Sequence, residues 1–107
     1  MKKFNLEDMI GGWFVGDFNP SLIRQSEFEV AIKRYYKGDI EDNHKHEIAI
    51  EITVIVEGRV IMNDKEYTKN DIIYIPPGEN TDFIVLEDTI TVVVKTPSLP
   101  NDKYIIE

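Results

Sequence analysis

The sequence predicts an all-β domain, a sandwich or a barrel, and three observations support this. From residue 28 onward, short runs of β-branched and aromatic residues alternate with turn residues about every ten positions. No stretch of helix length has an amphipathic pattern, and no internal repeat is present. With 107 residues, the chain is long enough for one packed core and too short for a second domain.

Residues 1–27 are the least regular part and are predicted to form an N-terminal arm. Asn5 is placed to cap a short helical turn that ends at Gly11. The aromatic cluster at 13–18 is bounded by glycine and proline, which suits an extended arm packed on the main body. For this cluster we favour a structural role over a ligand site.

Residues 28–96 are predicted to form the β-barrel, and residues 97–107 an irregular, proline-containing tail. Residues 57–58 and 87–88 are predicted to be turns between strands. The predicted strands are 28–36, 48–56, 59–62, 66–68, 71–75, 83–86 and 89–95.

The strand at 48–56 has one entirely apolar face. Side chains alternate between the two faces of a strand, so its even-numbered positions share that face and Glu51 lies on the other. If Glu51 points into the barrel, the apolar row points outward and needs cover, since large exposed apolar patches are rare on monomers. We expect a homodimer, or cover by the N-terminal arm.

Composition narrows the classes of function. The chain has 12 Lys and Arg against 20 Asp and Glu, a net charge of −8, which argues against binding the phosphate backbone of a nucleic acid. Without cysteine, any metal must be held by imidazole and oxygen. No apolar run has the length of a signal peptide or membrane span. We expect a cytoplasmic protein with neither nucleic-acid nor membrane partners.

The two histidines of the chain, His44 and His46, are the first candidate site residues. Two positions apart on a strand, both imidazoles point to the same side and can converge on a metal. Glu51 lies five residues beyond His46, so it joins them only if a turn or bulge changes the alternation. Two imidazoles and a carboxylate suit Fe(II) or a catalytic zinc. The alternative is two polar side chains on a solvated strand end.

The spacing around these residues is that of a known signature. Gly38, five residues, His44, one residue, His46, four residues, Glu51, six residues and Gly58 fit every defined position of the first motif of the cupin family. The chain is therefore identified as resembling a small single-domain cupin.

The second cupin motif is only partly present, at 70–85. Pro76 and Gly78 agree with it, but Asn70 replaces its opening glycine. Thr81 stands at the position of its histidine and Val85 at that of its asparagine.

The resemblance implies a jelly-roll barrel of two antiparallel sheets with an N-terminal arm. It also implies one divalent metal, Fe, Mn, Ni or Zn, held inside the barrel by His44, His46 and Glu51. The fourth ligand does not carry over, because the hydroxyl of Thr81 is a poor replacement for an imidazole.

Arg34 and Tyr36 are candidate catalytic residues on the first strand. They share a face with Val30 and Ile32, and an inward apolar face would bring both towards the histidines. An arginine there would clamp a carboxylate or phosphate, and a tyrosine would act as an acid. The alternative is an exposed strand end.

Three functions follow from these residues, and the sequence leaves open whether the protein is an enzyme. The first is a metal-dependent enzyme acting on a small organic or sugar-derived molecule. The second is a non-catalytic cupin that binds a small ligand or serves as a dimeric module, its metal site weak or vacant. The third is a metal-free isomerase or epimerase of an activated sugar, with a histidine as base and Tyr36 or Tyr74 as acid.

Overall fold

The computed structural model describes residues 1–105, and strands make up nearly all of its regular structure. The prediction of an all-β domain is confirmed. The elements are a 3-10 turn (Leu6–Asp8) and strands β1 (Trp13–Val15), β2 (Glu29–Tyr35), β3 (Ile40–His46), β4 (Ile50–Met62), β5 (Lys65–Thr68), β6 (Ile72–Ile75), β7 (Thr81–Thr96) and β8 (Lys103–Ile105).

The strands form one antiparallel sheet that curls into a barrel. Residues 89–95 of β7 pair with β2, residues 81–84 pair with β3, and β4 pairs with β7 along much of its length. β4 also pairs with β6 through residues 51–54 and with β5 through residues 59–62. Because β4 and β7 belong to both halves of the barrel, the two predicted sheets are continuous with each other.

The predicted turns at 57–58 and 87–88 are instead bulges within two long strands, β4 and β7. The pairing register between these strands shifts repeatedly from Ile55 to Val60. Gly58 has a positive φ of 101°, and a side chain there would collide with Thr89. Glycine therefore lets the strands touch where they bend, as a bulge requires.

The sheet reaches beyond both ends of the predicted 28–96 barrel. β1 pairs with β2, and β8 pairs with β3 beside the histidines. The prediction of an irregular tail is therefore wrong for residues 103–105, because β3 offers them a strand edge. β3 is itself too polar and acidic to be predicted as a strand from its residues. Residues 106–107 of the predicted tail lie outside the described part.

The apolar core fills one end of the barrel and leaves the other end polar. Along β4, the inward positions run from buried Ile55 through Thr53 to Glu51. The packed core consists of Ile55, Val60, Met62, Ile73, Ile75, Phe83 and Val85. In the described residues, no helix is both long and apolar enough to cross a membrane.

Candidate functional site

His44 and His46 lie at the end of β3, at the polar end of the barrel. Each is only 7% exposed, and their ring centroids are 5.5 Å apart. Thr81 of β7 is the pairing partner of His44, so its buried side chain lies beside that imidazole. The sequence prediction that both histidines share one side of a strand agrees with this placement.

A turn at 47–49 brings Glu51 to the histidines and supplies the change of alternation that the sequence requires. β3 ends at His46 and β4 begins at Ile50. The backbone N–H groups of the turn donate to the carboxylate of Asp102, at 3.3 Å from residue 47, 3.2 Å from residue 48 and 2.9 Å from residue 49. Asp102, just 6% exposed, therefore fixes the turn from the far end of the chain.

Glu51 lies against His46 inside the barrel. Its Oε1 is 3.5 Å from Nε2 of His46, and its Oε2 accepts a hydrogen bond of 3.1 Å from the hydroxyl of Thr53. Burial acts to raise the pKa of Glu51, but the imidazole of His46, the charge of Lys95 and the Thr53 hydroxyl outweigh it and lower the pKa. Glu51 is therefore an ionised, inward-facing oxygen donor.

The donor atoms fit a metal in their chemistry. Nε2 of His46 is buried and has no well-formed hydrogen bond within residues 1–105. Nδ1 of His44 is 2.9 Å from the carbonyl oxygen of Asp42, which can only accept, so Nδ1 carries a proton and Nε2 is the nitrogen left for a metal. Over the same residues, however, no three His, Asp or Glu side chains are grouped closely enough to hold a metal. His46 and Glu51 are in contact, and the ring of His44 lies beside that of His46, with 5.5 Å between the two ring centroids.

The structure corrects the assignment of Arg34 and Tyr36, because β2 turns its other face inward. Lys33 and Tyr35 line the barrel cavity, whereas Arg34 is exposed and Tyr36 is 67% exposed. The apolar row on β2 faces the N-terminal arm, where Ile32 lies beside several apolar side chains of that arm. An apolar strand face thus marks burial against the arm here and not against the barrel interior.

Tyr74, the other candidate acid of the isomerase hypothesis, also lies on the outer surface, exposed on β6. The tyrosine inside the cavity is Tyr35, which sequence reasoning missed. Its hydroxyl donates to Glu41 at 2.7 Å, and burial, together with the charge of Glu41, raises the pKa of Tyr35 well above its usual value. Tyr35 therefore stays protonated and acts as a fixed donor.

His44 and Glu51 border a cavity of about 160 Å³, and His46 borders a second cavity of about 230 Å³. Three lysines line the first cavity, Lys33 from β2, Lys95 from β7 and Lys103 from β8. Trp13 of the arm also lines it, with its ring centroid 5.3 Å from Nζ of Lys33 and 4.9 Å from Nζ of Lys95. Lys95 pairs in register with Glu51 across β7 and β4, a contact between distant segments that the sequence does not show, and nothing local indicates Trp13 or Lys103 either.

No known protein-family profile matches the sequence, and no curated protein is similar to it in sequence. Solved structures with a similar fold exist. An uncharacterized conserved protein with a double-stranded β-helix domain from Klebsiella pneumoniae matches with a TM-score of 0.73 and 16% identity, over 99% of this chain and 92% of that one. An RmlC-like cupin from Shewanella frigidimarina matches with a TM-score of 0.64 and 21% identity, over 68% of each chain.

Oxalate decarboxylase from Bacillus subtilis also matches, with a TM-score of 0.66 and 19% identity over 76% of this chain. This chain spans about a quarter, 24%, of that enzyme's length. At such identities the likeness concerns the fold alone.

Proposed function

Because the chain has the cupin fold, we propose that it holds a divalent transition metal through His44, His46 and Glu51, and that it binds or acts on a small organic or sugar-derived molecule in the adjoining cavity. Fe, Mn, Ni and Zn all accept two imidazoles and a carboxylate. With no cysteine in the chain, we place the protein in the cytoplasm.

The observation that carries the proposal is the buried, unpartnered Nε2 of His46 beside the carboxylate of Glu51. Buried polar atoms nearly always have a partner, and an imidazole nitrogen left without one is available as a ligand. His44 supports the proposal, because the bond from its Nδ1 to a carbonyl is the arrangement that orients metal-ligating histidines.

A bound divalent metal would supply Lewis acidity towards an oxygen of the small molecule. The other roles belong to side chains of this chain. Thr53 holds the carboxylate of Glu51, and the Tyr35–Glu41 pair presents a fixed hydrogen-bonding group to the cavity. The apolar core beneath closes the barrel and excludes water from that end.

The test is metal content and uptake. We expect protein purified without an affinity tag to contain, or after chelator treatment to take up, one equivalent of a transition metal. His44→Ala, His46→Ala and Glu51→Gln should each weaken uptake at least about tenfold. Glu47→Gln is the matched control, because Glu47 is exposed and pairs with Lys45. Wild-type protein that takes up none of the four metals would refute the proposal.

A second candidate, a non-catalytic cupin with a vacant metal site, is favoured by Thr81. This residue lies opposite His44 where the cupin motif has a histidine, and it offers a weaker ligand. In that case the protein binds small molecules without metal, and His44→Ala leaves the binding unchanged.

We also propose that a second copy of the chain covers the outer face of the sheet. The register aligns two apolar rows across β2, β7, β4 and β6, and the arm lies over the β2 end. Ile72 and Tyr74 at the other end remain 69% and 61% exposed. A twofold axis would pack this uncharged patch against the same patch of the second copy. Because each copy has a net charge of −8, self-association needs an interface without charged side chains. The two rows are Val30, Val94, Ile52 and Tyr74, and Ile32, Val92, Val54 and Ile72.

A further inference from the structure

We propose that the ligand of the barrel cavity is a small organic acid whose carboxylate is bound by Lys33, Lys95 and Lys103, with Trp13 positioning the first two. This inference rests on the proposed function only for the claim that the cavity holds a small molecule. It does not require a metal.

The three lysines approach one cavity from three strands. Lys95 pairs in register with Glu51 across β7 and β4, and Lys103 pairs with His46 across β8 and β3. Paired residues of antiparallel strands share a face of the sheet, so both lysines lie beside the candidate metal ligands. Lys33 reaches the same cavity from β2. The Nζ atoms of Lys33 and Lys95 both lie over the indole ring of Trp13.

None of these ammonium groups is in direct contact with a carboxylate of the described residues. Within residues 1–105, none of the three lies within 4.0 Å of an Asp or Glu oxygen, whereas Lys45 and Lys69 each form such an ion pair elsewhere. Burial lowers the pKa of Lys33; the charges of Glu41 and Glu51 oppose this effect, and those of Lys95 and Lys103 add to it. Three carboxylates, those of Glu41, Glu51 and Asp82, line the same cavity without contacting the ammonium groups, so a bound carboxylate would be the direct hydrogen-bonding partner that these groups lack.

An unpaired hydroxyl points to a ligand independently of the charges. Thr91 lines the cavity, is 1% exposed, and has no hydrogen-bond partner for its Oγ1 within the described residues. It is the register partner of Lys33, so the hydroxyl lies beside that lysine. A carboxylate would accept hydrogen bonds from both.

Size and charge favour a carboxylate over a phosphate. The cavity of about 160 Å³ is comparable to one of about 150 Å³ that holds benzene, so a ligand of roughly six to eight non-hydrogen atoms fits. Glu41, Glu51 and Asp82 line the same cavity, and their carboxylates would repel a dianion more than a monoanion. Hydroxyl groups on the acid would find acceptors in these side chains.

Trp13 is the single tryptophan of the chain and lines the cavity, so tryptophan fluorescence reports on binding at this site. We would titrate chelator-treated protein with the monoanions lactate and glycolate, with lactamide as a neutral analogue and with inorganic phosphate, following tryptophan fluorescence and heat. We expect the carboxylates to bind and lactamide not to bind, with affinity falling as salt increases.

Lys33→Met and Lys95→Met should each weaken carboxylate binding at least about tenfold, whereas Lys33→Arg should retain most of it. Lys65→Met is the matched control, since it removes the same charge from an exposed lysine of β5. Circular dichroism confirms that each variant is folded.

Four results would overturn the inference: equal binding by the methionine variants, equal binding of lactamide, preference for phosphate, or no response to any carboxylate. The proposed metal function fails separately. Lys33→Met should keep wild-type metal uptake, and wild-type protein that binds lactate but no metal would support this inference while refuting the metal site.

Discussion

Replacing Asp102 with alanine removes the carboxylate that fixes the turn between the candidate ligands. Three backbone N–H groups at 47–49 donate to it, at 2.9 to 3.3 Å. The residue is buried and lies more than fifty positions away in the sequence. Asp102→Ala should therefore loosen the turn and separate His46 from Glu51.

The size of the effect follows from the three donors. A buried donor left without an acceptor costs about 1–3 kcal/mol, and the N–H of Ala49 is the buried one. The other two are partly exposed and have longer bonds, so water replaces part of their interaction. We expect a total loss of about 2–4 kcal/mol in the free energy of unfolding. In a domain of this size, that lowers Tm by about 8–16 °C.

The assay is guanidinium denaturation and calorimetry of Asp102→Ala, with metal uptake as a second measurement. Asp102→Asn keeps one acceptor and should lose about half as much stability. Glu79→Ala is the control, because Glu79 is exposed and its carboxylate has no hydrogen bond or ion pair within residues 1–105. A loss under about 0.5 kcal/mol for Asp102→Ala, or weakened metal uptake with unchanged stability, would refute this reasoning.

Three further substitutions test the bulge, the missing ligand and the outer face. Gly58→Ala should destabilise the fold by at least about 2 kcal/mol, because its φ is positive and its Cβ would displace Thr89; an unchanged denaturation midpoint would contradict this. Thr81→His should tighten metal uptake about tenfold or more by adding an imidazole beside His44, whereas unaltered affinity would mean that the donors do not share a centre. Ile72→Lys should leave a monomer by light scattering, and a monomeric wild-type protein would exclude the dimer.

The sequence predicts best what depends on local spacing. His44 and His46 lie two apart on one strand, and Glu51 needs a turn to join them; the structure has both features. The all-β class likewise follows from short runs and turn residues, because alternation is a local property.

What the sequence could not predict depends on contacts between distant segments. The sequence places Arg34 and Tyr36 in the barrel interior because they share a strand face with an apolar row. That row packs against the N-terminal arm instead, and the residue pattern of β2 does not show this packing. Gly58 carries a turn signal, yet it serves a bulge because Thr89 of another strand lies against it. Asp102 shows no local pattern that would link it to residues 47–49.

The site divides into two parts that different segments of the chain supply. The candidate metal ligands lie on β3 and β4, within the predicted 28–96 barrel, whereas Trp13 comes from the arm and Lys103 from β8. On the proposed anion binding, substitutions of Trp13 or Lys103 should therefore alter which anion the cavity accepts and leave the candidate metal donors in place. Lys95 connects the two parts, because its charge lowers the pKa of Glu51 while its Nζ lies over Trp13. Of the three lysines, Lys95 is thus the one whose replacement should also change metal affinity, because Glu51 then loses a neighbouring positive charge that competes with a metal cation.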